Sequence, residues 1–342
     1  MLTTIQDAVK QLLPAKRKTT SNGWTSFNAV CCDHNGESRD IRSRGGIISN
    51  ADGSVSYHCF NCNFMASYTP GYHLNYKFRK LLSWFGADEN TIRRLVIDAI
   101  RIKDLVGVPD KPPAERTELT VKPRPLPAEA QTLQTLGTFY HLQADRDVPA
   151  EFHQAIVYLG ARSINLAKYQ FYWTPETAYN LHRRVIIPFT WKNEIIGYSA
   201  RAVYDEVKPK YHTSHEPNYV FNLDRQPADA RFVIVCEGPF DAMSVDGVAI
   251  LSNQCNETQA DAIDALGREV IVVPDSDRAG AKLIDNAIEY GWTVSFPIWM
   301  ETCKDINEAV SKYGKLFVLK SILAARETSR LKIELKKKRL YS

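Results

Sequence analysis

The chain has 342 residues, of which 44% are hydrophobic and 24% charged, and its formal net charge is +4. This length exceeds that of one typical domain, and the composition excludes a low-complexity or fibrous chain. Because the sequence has no run of 18 apolar residues and its first residues lack the pattern of a signal peptide, we expect a soluble protein of the reducing cytoplasm rather than a membrane or secreted protein.

The first predicted unit, residues 1–76, carries two pairs of metal-ligating side chains. Each short turn of the form C-x2-C or C-x2-H places two ligands on one side of a tetrahedron, and two such turns complete a structural zinc site. We therefore predict a small zinc-ribbon-like β domain that holds one structural zinc ion. The predicted ligands are Cys31, His34, Cys59 and Cys62.

Two neighbouring residues leave this ligand set open. Cys32 could replace Cys31, and His58 could compete with Cys59. The spacing favours Cys31, because only one residue separates Cys32 from His34. Buried thiols without metal are the weaker alternative, since so polar a segment has little core in which to bury them.

The segment between the two pairs, residues 39–46 (RDIRSRGG), is rich in arginine. Along an exposed strand edge, Arg39, Arg42 and Arg44 would present cations to phosphates, with aromatic rings such as Trp24 and Phe60 for bases to stack on. The pattern favours contact with single-stranded nucleic acid. A solvated edge strand blunted by charge has the same signature.

A helical segment and a linker follow. The spacing of apolar residues predicts helices over 77–106, with a stop at Gly86 and a new N-cap at Asp88. Residues 107–127 contain six prolines, which predicts an exposed, semi-rigid linker.

Beyond the linker, residues 128–229 are predicted to form a mixed α+β subdomain. Val185–Phe189 and Ile195–Tyr198 have the composition of strands, and the turn-prone Trp191–Glu194 separates them.

From residue 230 the pattern changes to buried strands that alternate with helices, which predicts a parallel sheet covered by helices. The strands are Phe232–Cys236, Val248–Leu251, Val270–Val273 and Thr293–Ile298, and the helices are Pro239–Val245, Glu257–Leu266 and Arg278–Tyr290. The predicted fold class is therefore multidomain, α+β and α/β, with a Rossmann-like domain at 230–310. A basic, partly helical tail follows at 311–342, and either nucleic acid contact or a frayed charged helix accounts for it.

Acidic residues follow the predicted strands of this last domain. Ligands of an open α/β sheet bind in the crevice beyond the carboxyl ends of its strands. Carboxylates gathered there repel one another unless hard cations bridge them, so we predict between one and three Mg²⁺ or Mn²⁺ ions as catalytic cofactors. The predicted catalytic and metal-binding residues are Glu237, Asp275, Asp277 and Asp305.

Three short segments around these residues resemble the signature of the Toprim domain. They are EGxxD at Glu237–Asp241, DSDRAG at Asp275–Gly280 and KDINE at Lys304–Glu308. The third segment often carries a second Asp where this chain has Asn307, which leaves the number of metal ions open.

Two further segments narrow the resemblance to DNA primases of the bacterial and phage type. The zinc module is similar to the primase zinc-binding domain in its Cys-x2-His and Cys-x2-Cys order. RVIIPF (Arg184–Phe189), IIGYSAR (Ile195–Arg201) and KPKYHTS (Lys208–Ser214) resemble the basic RNA polymerase subdomain that precedes Toprim in these primases.

The resemblance implies synthesis of short RNA primers on single-stranded DNA from ribonucleoside triphosphates, by two-metal nucleotidyl transfer. It also implies that Arg184, Arg201 and Lys210 line the groove for template or nucleotide, with Lys304 balancing the carboxylates. No G-x4-G-K-[ST] phosphate loop occurs in the sequence, so we expect a replicative helicase to act in trans. If the chain is phage-encoded, its location would be the host cytoplasm.

Two alternatives combine some of the same features. A RecR-like DNA-binding mediator also joins zinc to Toprim, but it has no need of the RVIIPF to KPKY region. A Toprim nuclease of the OLD type usually carries an ATPase, for which the sequence has no phosphate loop.

Overall fold

A computed structural model describes residues 4–106, 123–143, 146–276, 280–299 and 303–341. The described chain divides into two compact units. The first contains the residues up to 106 together with the short segments 228–231 and 260–269, and the second contains the rest. Most of the predicted linker, 107–122, lies outside the described residues. Among the helices that are described, none is long and apolar enough to cross a membrane.

The first unit is an antiparallel sheet of five strands in the order β1-β2-β3-β4-β5, with helices packed on its core. Its principal elements are α1 (Thr4–Leu12), β1 (Arg17–Thr19), β2 (Thr25–Phe27), β3 (Gly45–Ser49), β4 (Val55–Cys59), β5 (Met65–Tyr68), α2 (Tyr76–Trp84) and α3 (Glu89–Val106). The predicted helix break is present. Gly86 has a φ of 94°, and the Asp88 carboxylate accepts the Thr91 N–H at 2.7 Å.

The segment 260–269 joins the first unit through hydrogen bonds. The Asp264 carboxylate accepts the backbone N–H of Tyr76 at 2.7 Å, and the Gly267 carbonyl accepts Lys103 Nζ at 2.7 Å. Helices α2 and α3 contribute Phe78 and other apolar residues to the same core as the sheet. The helical segment is therefore part of the N-terminal unit.

The second unit begins with an antiparallel sheet in the order β10-β9-β8-β7-β6. Its elements are β6 (Gln131–Thr132), α4 (Leu133–Leu142), α5 (Ala150–Ala161), β7 (Tyr172–Trp173), a 3₁₀ helix (Ala178–Arg183), β8 (Arg184–Trp191), β9 (Glu194–Ala202) and β10 (Tyr211–Ser214). The predicted turn is a tight hairpin in which Lys192 and Asn193 both have positive φ. Two-residue hairpin turns favour this geometry because it matches the twist of the strands on either side.

A second sheet of the same unit has the order β12-β11-β13-β14-β15. The elements of this stretch of the chain, in which residues 260–269 belong to the first unit, are β11 (Phe232–Cys236), α6 (Pro239–Val245), β12 (Val248–Ala249), α7 (Glu257–Asp264), β13 (Glu269–Val272), α8 (Gly280–Tyr290), β14 (Thr293–Ser295), α9 (Ile306–Tyr313), α10 (Lys315–Ala324), β15 (Arg326–Glu327) and α11 (Arg330–Tyr341). The pairs β11–β12 and β13–β14 are parallel, and β15 adds an antiparallel edge.

These sheets confirm the predicted fold class, a mixture of antiparallel and parallel-rich units. The strand predicted to end at Leu251 is shorter, because Leu251 has a φ of 60° that an extended strand excludes. One apolar core joins the two sheets of the second unit, since Phe189 on β8 packs with Phe240 and Ala249 of the Rossmann-like part. This shared core holds the carboxyl ends of the parallel strands in place.

We expect Phe189→Ala to destabilise the second unit by about 3–5 kcal/mol, because it removes a fully buried ring from the core that both sheets share. The ring also contacts Tyr219 and Phe221. Urea unfolding of the full chain measures the change. Ile298→Ala, at a side chain that is 91% exposed, is the control and should alter stability by less than about 0.5 kcal/mol. Equal effects of the two substitutions would contradict the assignment of this core.

Candidate active site and metal centre

Four cysteine sulfurs of the first unit form a compact group. Cys31, Cys32, Cys59 and Cys62 offer sulfur atoms that all lie within 4.8 Å of one another. The closest pairs are Cys31 with Cys62 at 3.4 Å and Cys32 with Cys59 at 3.5 Å. Tetrahedral zinc with bonds of about 2.3 Å requires sulfurs roughly 3.8 Å apart, so the donor set fits a structural zinc ion.

Burial and the neighbouring thiols raise the pKa of Cys31, and burial raises that of Cys32. A thiol with a raised pKa stays protonated at neutral pH unless a bound cation favours the thiolate. The side-chain amide of Asn61 lies 3.3 Å from the Cys32 sulfur, where it can donate to a thiolate. These contacts also suit a metal rather than a disulfide, and all seven cysteines are free.

The structure corrects the fourth member of the predicted set from His34 to Cys32. His34 is exposed, and its ring stacks on Trp84 with centroids 4.8 Å apart and an interplanar angle of 3°. The reason is local: a 3₁₀ turn over Asp33–Asn35 follows Cys32 and carries His34 away from the sulfurs. Because Cys31 and Cys32 are consecutive, each reaches a different sulfur of the second pair.

The predicted exposed strand at 39–44 is instead a loop organised by Asp40. This buried carboxylate accepts the backbone N–H groups of Ala29, Arg42 and Arg44 at 2.7–2.9 Å and Arg44 Nε at 3.1 Å. Burial opposes ionisation, but these hydrogen bonds outweigh it and lower the pKa of Asp40 to about 2. Arg39 and Arg42 remain exposed, whereas Arg44 is half-buried and forms an ion pair with Asp40.

Three of the four predicted catalytic carboxylates of the second unit line one cavity. Glu237 directly follows β11, Asp275 follows β13, and Asp305 caps α9 by accepting the Glu308 N–H at 2.8 Å. The Ser276 N–H donates to the Lys304 carbonyl at 3.3 Å, which joins the loops that carry Asp275 and Asp305. Asp277 lies outside the described residues.

A further carboxylate, Asp241, lies in the first turn of α6 and lines the same cavity. Burial raises the pKa of Asp241 to about 8, and the nearby charges of Asp305 and Asp275 contribute to the rise. Burial, reinforced by the surrounding carboxylates, also raises the pKa of Cys236 behind them. One buried and three half-buried carboxyl groups around one cavity suit a hard divalent cation, which oxygen ligands bind best.

Cations line the same cavity. Arg201 lies on β9, Lys210 precedes β10 and Lys304 precedes Asp305. The charges of Arg201 and Lys304 lower the pKa of Lys210, which means that these groups lie close enough to repel one another. Arg201 Nε is buried and has no hydrogen-bond partner among the residues that the structure describes. An anionic ligand would satisfy this group and relieve the repulsion.

Arginines and aromatic rings alternate along one side of the cavity. The guanidinium carbon of Arg162 lies 4.6 Å from the ring centroid of Phe240 and 4.8 Å from that of Tyr158. That of Arg201 lies 5.9 Å from Tyr158 and 4.7 Å from Tyr211. Stacking on rings fixes the plane of a guanidinium group, and its N–H edge is then free to bind phosphate.

The structure also corrects the placement of Arg184, which does not line the cavity. Only 1% of Arg184 is exposed, and its guanidinium donates to the carbonyls of Tyr179 at 3.1 Å and Ala200 at 3.2 Å. Burial lowers the pKa of this guanidinium. Arg184 therefore anchors the turn before β8 from within the sheet.

The acidic and basic residues of the second unit described above, apart from Arg184, surround a cavity of about 860 Å³. Sequence reasoning missed Asp241, although the EGxxD segment contains it, and missed Arg162, which lies outside every segment that resembles a known family. A nucleotide-sized ligand fits such a volume, since typical ligand pockets measure about 300–1,000 Å³. The chemistry that the cavity can support is metal-assisted reaction at a phosphate.

Parts of the chain are similar to known proteins. Residues 234–310 match the family model described as Toprim-like. Over 152 residues the chain is 24% identical to the DNA primase of Aquifex aeolicus (strain VF5), a stretch that covers 39% of this chain and 30% of that protein. The chain thus spans less than a third of the length of this curated relative. The predicted resemblance to Toprim proteins and to DNA primases is confirmed.

Two solved structures are also similar. The RNA polymerase domain of Mycobacterium tuberculosis primase DnaG is 20% identical with a TM-score of 0.46, over 57% of this chain and 82% of that chain. The primase fragment of the bacteriophage T7 primase-helicase protein is 14% identical with a TM-score of 0.39, over 83% of this chain and 95% of that chain.

We expect Cys32→Ser to lose bound zinc and His34→Ala to retain it, because only Cys32 belongs to the sulfur group. Zinc per chain, measured by atomic emission on protein purified without chelator, distinguishes the two variants. His34→Ala is the matched control, since it removes a potential ligand two residues away. Loss of zinc from His34→Ala with retention in Cys32→Ser would restore the set inferred from the spacing.

Proposed function

We propose that this chain is a DNA primase that synthesises short RNA primers on a single-stranded DNA template. One observation supports the proposal most strongly: carboxylates at the ends of parallel strands face arginine and lysine across a single nucleotide-sized cavity. A nucleoside triphosphate needs both groups, cations for its phosphates and oxygen ligands for its metal ions. The match of residues 234–310 to a Toprim-like family and the similarity to a named DNA primase support the same assignment.

The substrate class follows from the cationic residues. Arg201 lies on β9 and Lys210 directly precedes the neighbouring strand β10, and both would bind the phosphates of the incoming ribonucleoside triphosphate. The buried Nε of Arg201 is a hydrogen-bond donor for such an oxygen. Lys304, beside Asp305, would balance the charge that develops on the departing pyrophosphate.

The carboxylates would bind and orient the reacting groups. Glu237, Asp275 and Asp305, with Asp277 of the same signature segment, are the proposed ligands of Mg²⁺ or Mn²⁺. When bound, such ions neutralise phosphate charge and activate the attacking oxygen. The 3′-hydroxyl of one nucleotide loses its proton and forms a bond to the α-phosphorus of the next, and the bond to pyrophosphate breaks. Glu237 is a candidate acceptor of that proton.

The first unit would serve template binding. Its four-cysteine group would stabilise the small sheet, and the exposed Arg39 and Arg42 offer cations to a phosphate backbone. We propose that this unit selects the initiation site on single-stranded DNA, and that a replicative helicase binds the chain in trans. A role in replication would place the protein in the cytoplasm.

We expect Asp275→Ala to lower primer synthesis by roughly a hundredfold to a thousandfold, the range for the loss of one main electrostatic contribution to a transition state. The assay combines the full chain with Mg²⁺, labelled ribonucleotides and a mixed-sequence single-stranded template, with helicase also present. The products are sized and sequenced. Asp205→Ala, at an exposed carboxylate that does not line the cavity, is the matched control and should retain activity.

Other outcomes would point to other functions. If the wild-type chain made no oligoribonucleotides on any template, but bound single-stranded DNA, a RecR-like mediator would replace the primase. Cleavage of DNA under the same conditions would favour a Toprim nuclease. Full activity of Asp275→Ala would contradict the proposed metal site.

A further inference from the structure

Asn307 lies in the first turn of α9, two residues after Asp305, and both its side-chain nitrogen and its side-chain oxygen form hydrogen bonds. The amide nitrogen donates to the Arg162 carbonyl at 2.9 Å and to Ser244 Oγ at 2.9 Å. The amide oxygen accepts Arg162 Nη1 at 2.8 Å. Both N–H donors of this carboxamide are therefore in use, and its oxygen accepts one hydrogen bond.

The hydrogen bonds of Asn307 connect three elements around the cavity. Arg162 follows α5, Ser244 lies on α6, and Asn307 itself belongs to α9. The backbone N–H of Asn307 donates to Asp241 at 2.9 Å. The residue is 97% buried, so solvent does not compete for these partners. Such a satisfied buried network fixes the groups that it joins.

Arg162 is the charged group that this network holds. Its guanidinium carbon lies within 4.8 Å of the ring centroids of both Phe240 and Tyr158, and Asn307 accepts one of its N–H groups. Arg162 receives Asn307 contacts at both its guanidinium and its backbone carbonyl, which fixes side chain and main chain together. An arginine fixed in this way presents its remaining N–H groups to the cavity, which it lines beside Arg201.

The same contacts argue against Asn307 as a metal ligand. An amide can coordinate a hard cation only through its oxygen, and here that oxygen accepts a guanidinium. A second cation at the same oxygen would meet the charge of Arg162 at close range. Turning the amide over would place its oxygen against the carbonyl of Arg162 and lose two hydrogen bonds.

We propose that Asn307 is a positioning residue that holds Arg162 for contact with the phosphates of the bound nucleotide, and that it does not bind metal. This inference rests on the proposed function for the identity of the ligand. It assigns to Arg162 a place beside Arg201 and Lys210 in phosphate binding. It also removes Asn307 from the ligands of the metal site and leaves that site to the carboxylates.

A double-mutant cycle on the full chain tests the inference. Asn307→Ala, Arg162→Ala and the double variant are titrated with inorganic triphosphate in the presence of Mg²⁺, by calorimetry. We expect Asn307→Ala to weaken binding about tenfold, as for loss of a hydrogen bond to a charged group. In the Arg162→Ala background the same change should have no further effect, because Asn307 acts through Arg162. Asn218→Ala, at an exposed asparagine, is the control and should bind as the wild type does.

A second readout separates positioning from coordination. Mn²⁺ bound per chain, counted by electron paramagnetic resonance, should be unchanged in Asn307→Ala. Asn307→Asp, which supplies a carboxylate, should bind no additional Mn²⁺. Thermal unfolding shows whether each variant is folded at the assay temperature. If Asn307→Ala does not fold, Ser244→Ala loosens the same carboxamide and replaces it in the cycle.

Each contrary result overturns a defined claim. Additive losses in the two single variants, or fewer Mn²⁺ ions in Asn307→Ala, would show that Asn307 acts independently of Arg162. Failure of the wild type to bind triphosphate would remove the proposed ligand of Arg162. Neither readout requires polymerisation. If the chain makes no primers but Asn307 and Arg162 are coupled in triphosphate binding, only the proposed function is contradicted. If it makes primers but the two residues are not coupled, only this inference is contradicted.

Discussion

Repulsion among carboxylates is the constraint around which the second unit is arranged. The parallel strands end together, so the acidic residues that follow β11 and β13 are brought close to Asp241 and Asp305. Their mutual effect is visible in the pKa of Asp241, which burial and these neighbours raise to about 8. An unpaired buried charge costs several kcal/mol, so such a group persists only with compensation. The fold supplies part of this electrostatic compensation, and a bound divalent cation would supply a further part.

The antiparallel sheet provides the compensating charges. Arg201 lies on β9, Lys210 directly precedes β10, and Arg162 directly follows α5. The core shared by the two sheets, with Phe189 and Phe240 among its members, sets the distance between the acidic and the basic side. Each side alone would be unfavourable, because like charges would face one another without partners. The arrangement as a whole is suited to a ligand that carries both phosphate and metal ions.

Sequence patterns predicted which carboxylates lie at the cavity more completely than which cations lie there, and the roles of both remain predictions. Glu237, Asp275 and Asp305 were found because strand ends can be read from runs of apolar residues, and strand ends meet at one edge of a parallel sheet. Arg162 follows a helix and lies outside the segments that resemble known families. Its place depends on Asn307, 145 residues further along the chain, and on contact with the rings of Tyr158 and Phe240. Contacts of that kind are not encoded in any local pattern.

The two corrected residues have equally physical reasons. The prediction from ligand spacing required that two residues separate the members of each pair. In the structure Cys31 and Cys32 are consecutive and contact different sulfurs, those of Cys62 and Cys59. His34 stacks on Trp84 instead. For Arg184, the first four residues of β8 are all buried, because apolar side chains cover both faces of the sheet there. When buried and exposed residues do not alternate along a strand, its sequence does not indicate which side chains face a cavity. Arg184 is buried within the sheet and binds backbone carbonyls there.

The central claim is that one cavity binds metal and phosphate together, with carboxylates on one side and arginines on the other. The most direct measurement is an anomalous difference map from crystals of the full chain soaked with Mn²⁺ and a non-hydrolysable ribonucleoside triphosphate. The account predicts manganese peaks at Glu237, Asp275 and Asp305, with the triphosphate against Arg162 and Arg201. Manganese bound elsewhere, or a triphosphate held away from these arginines, would contradict it.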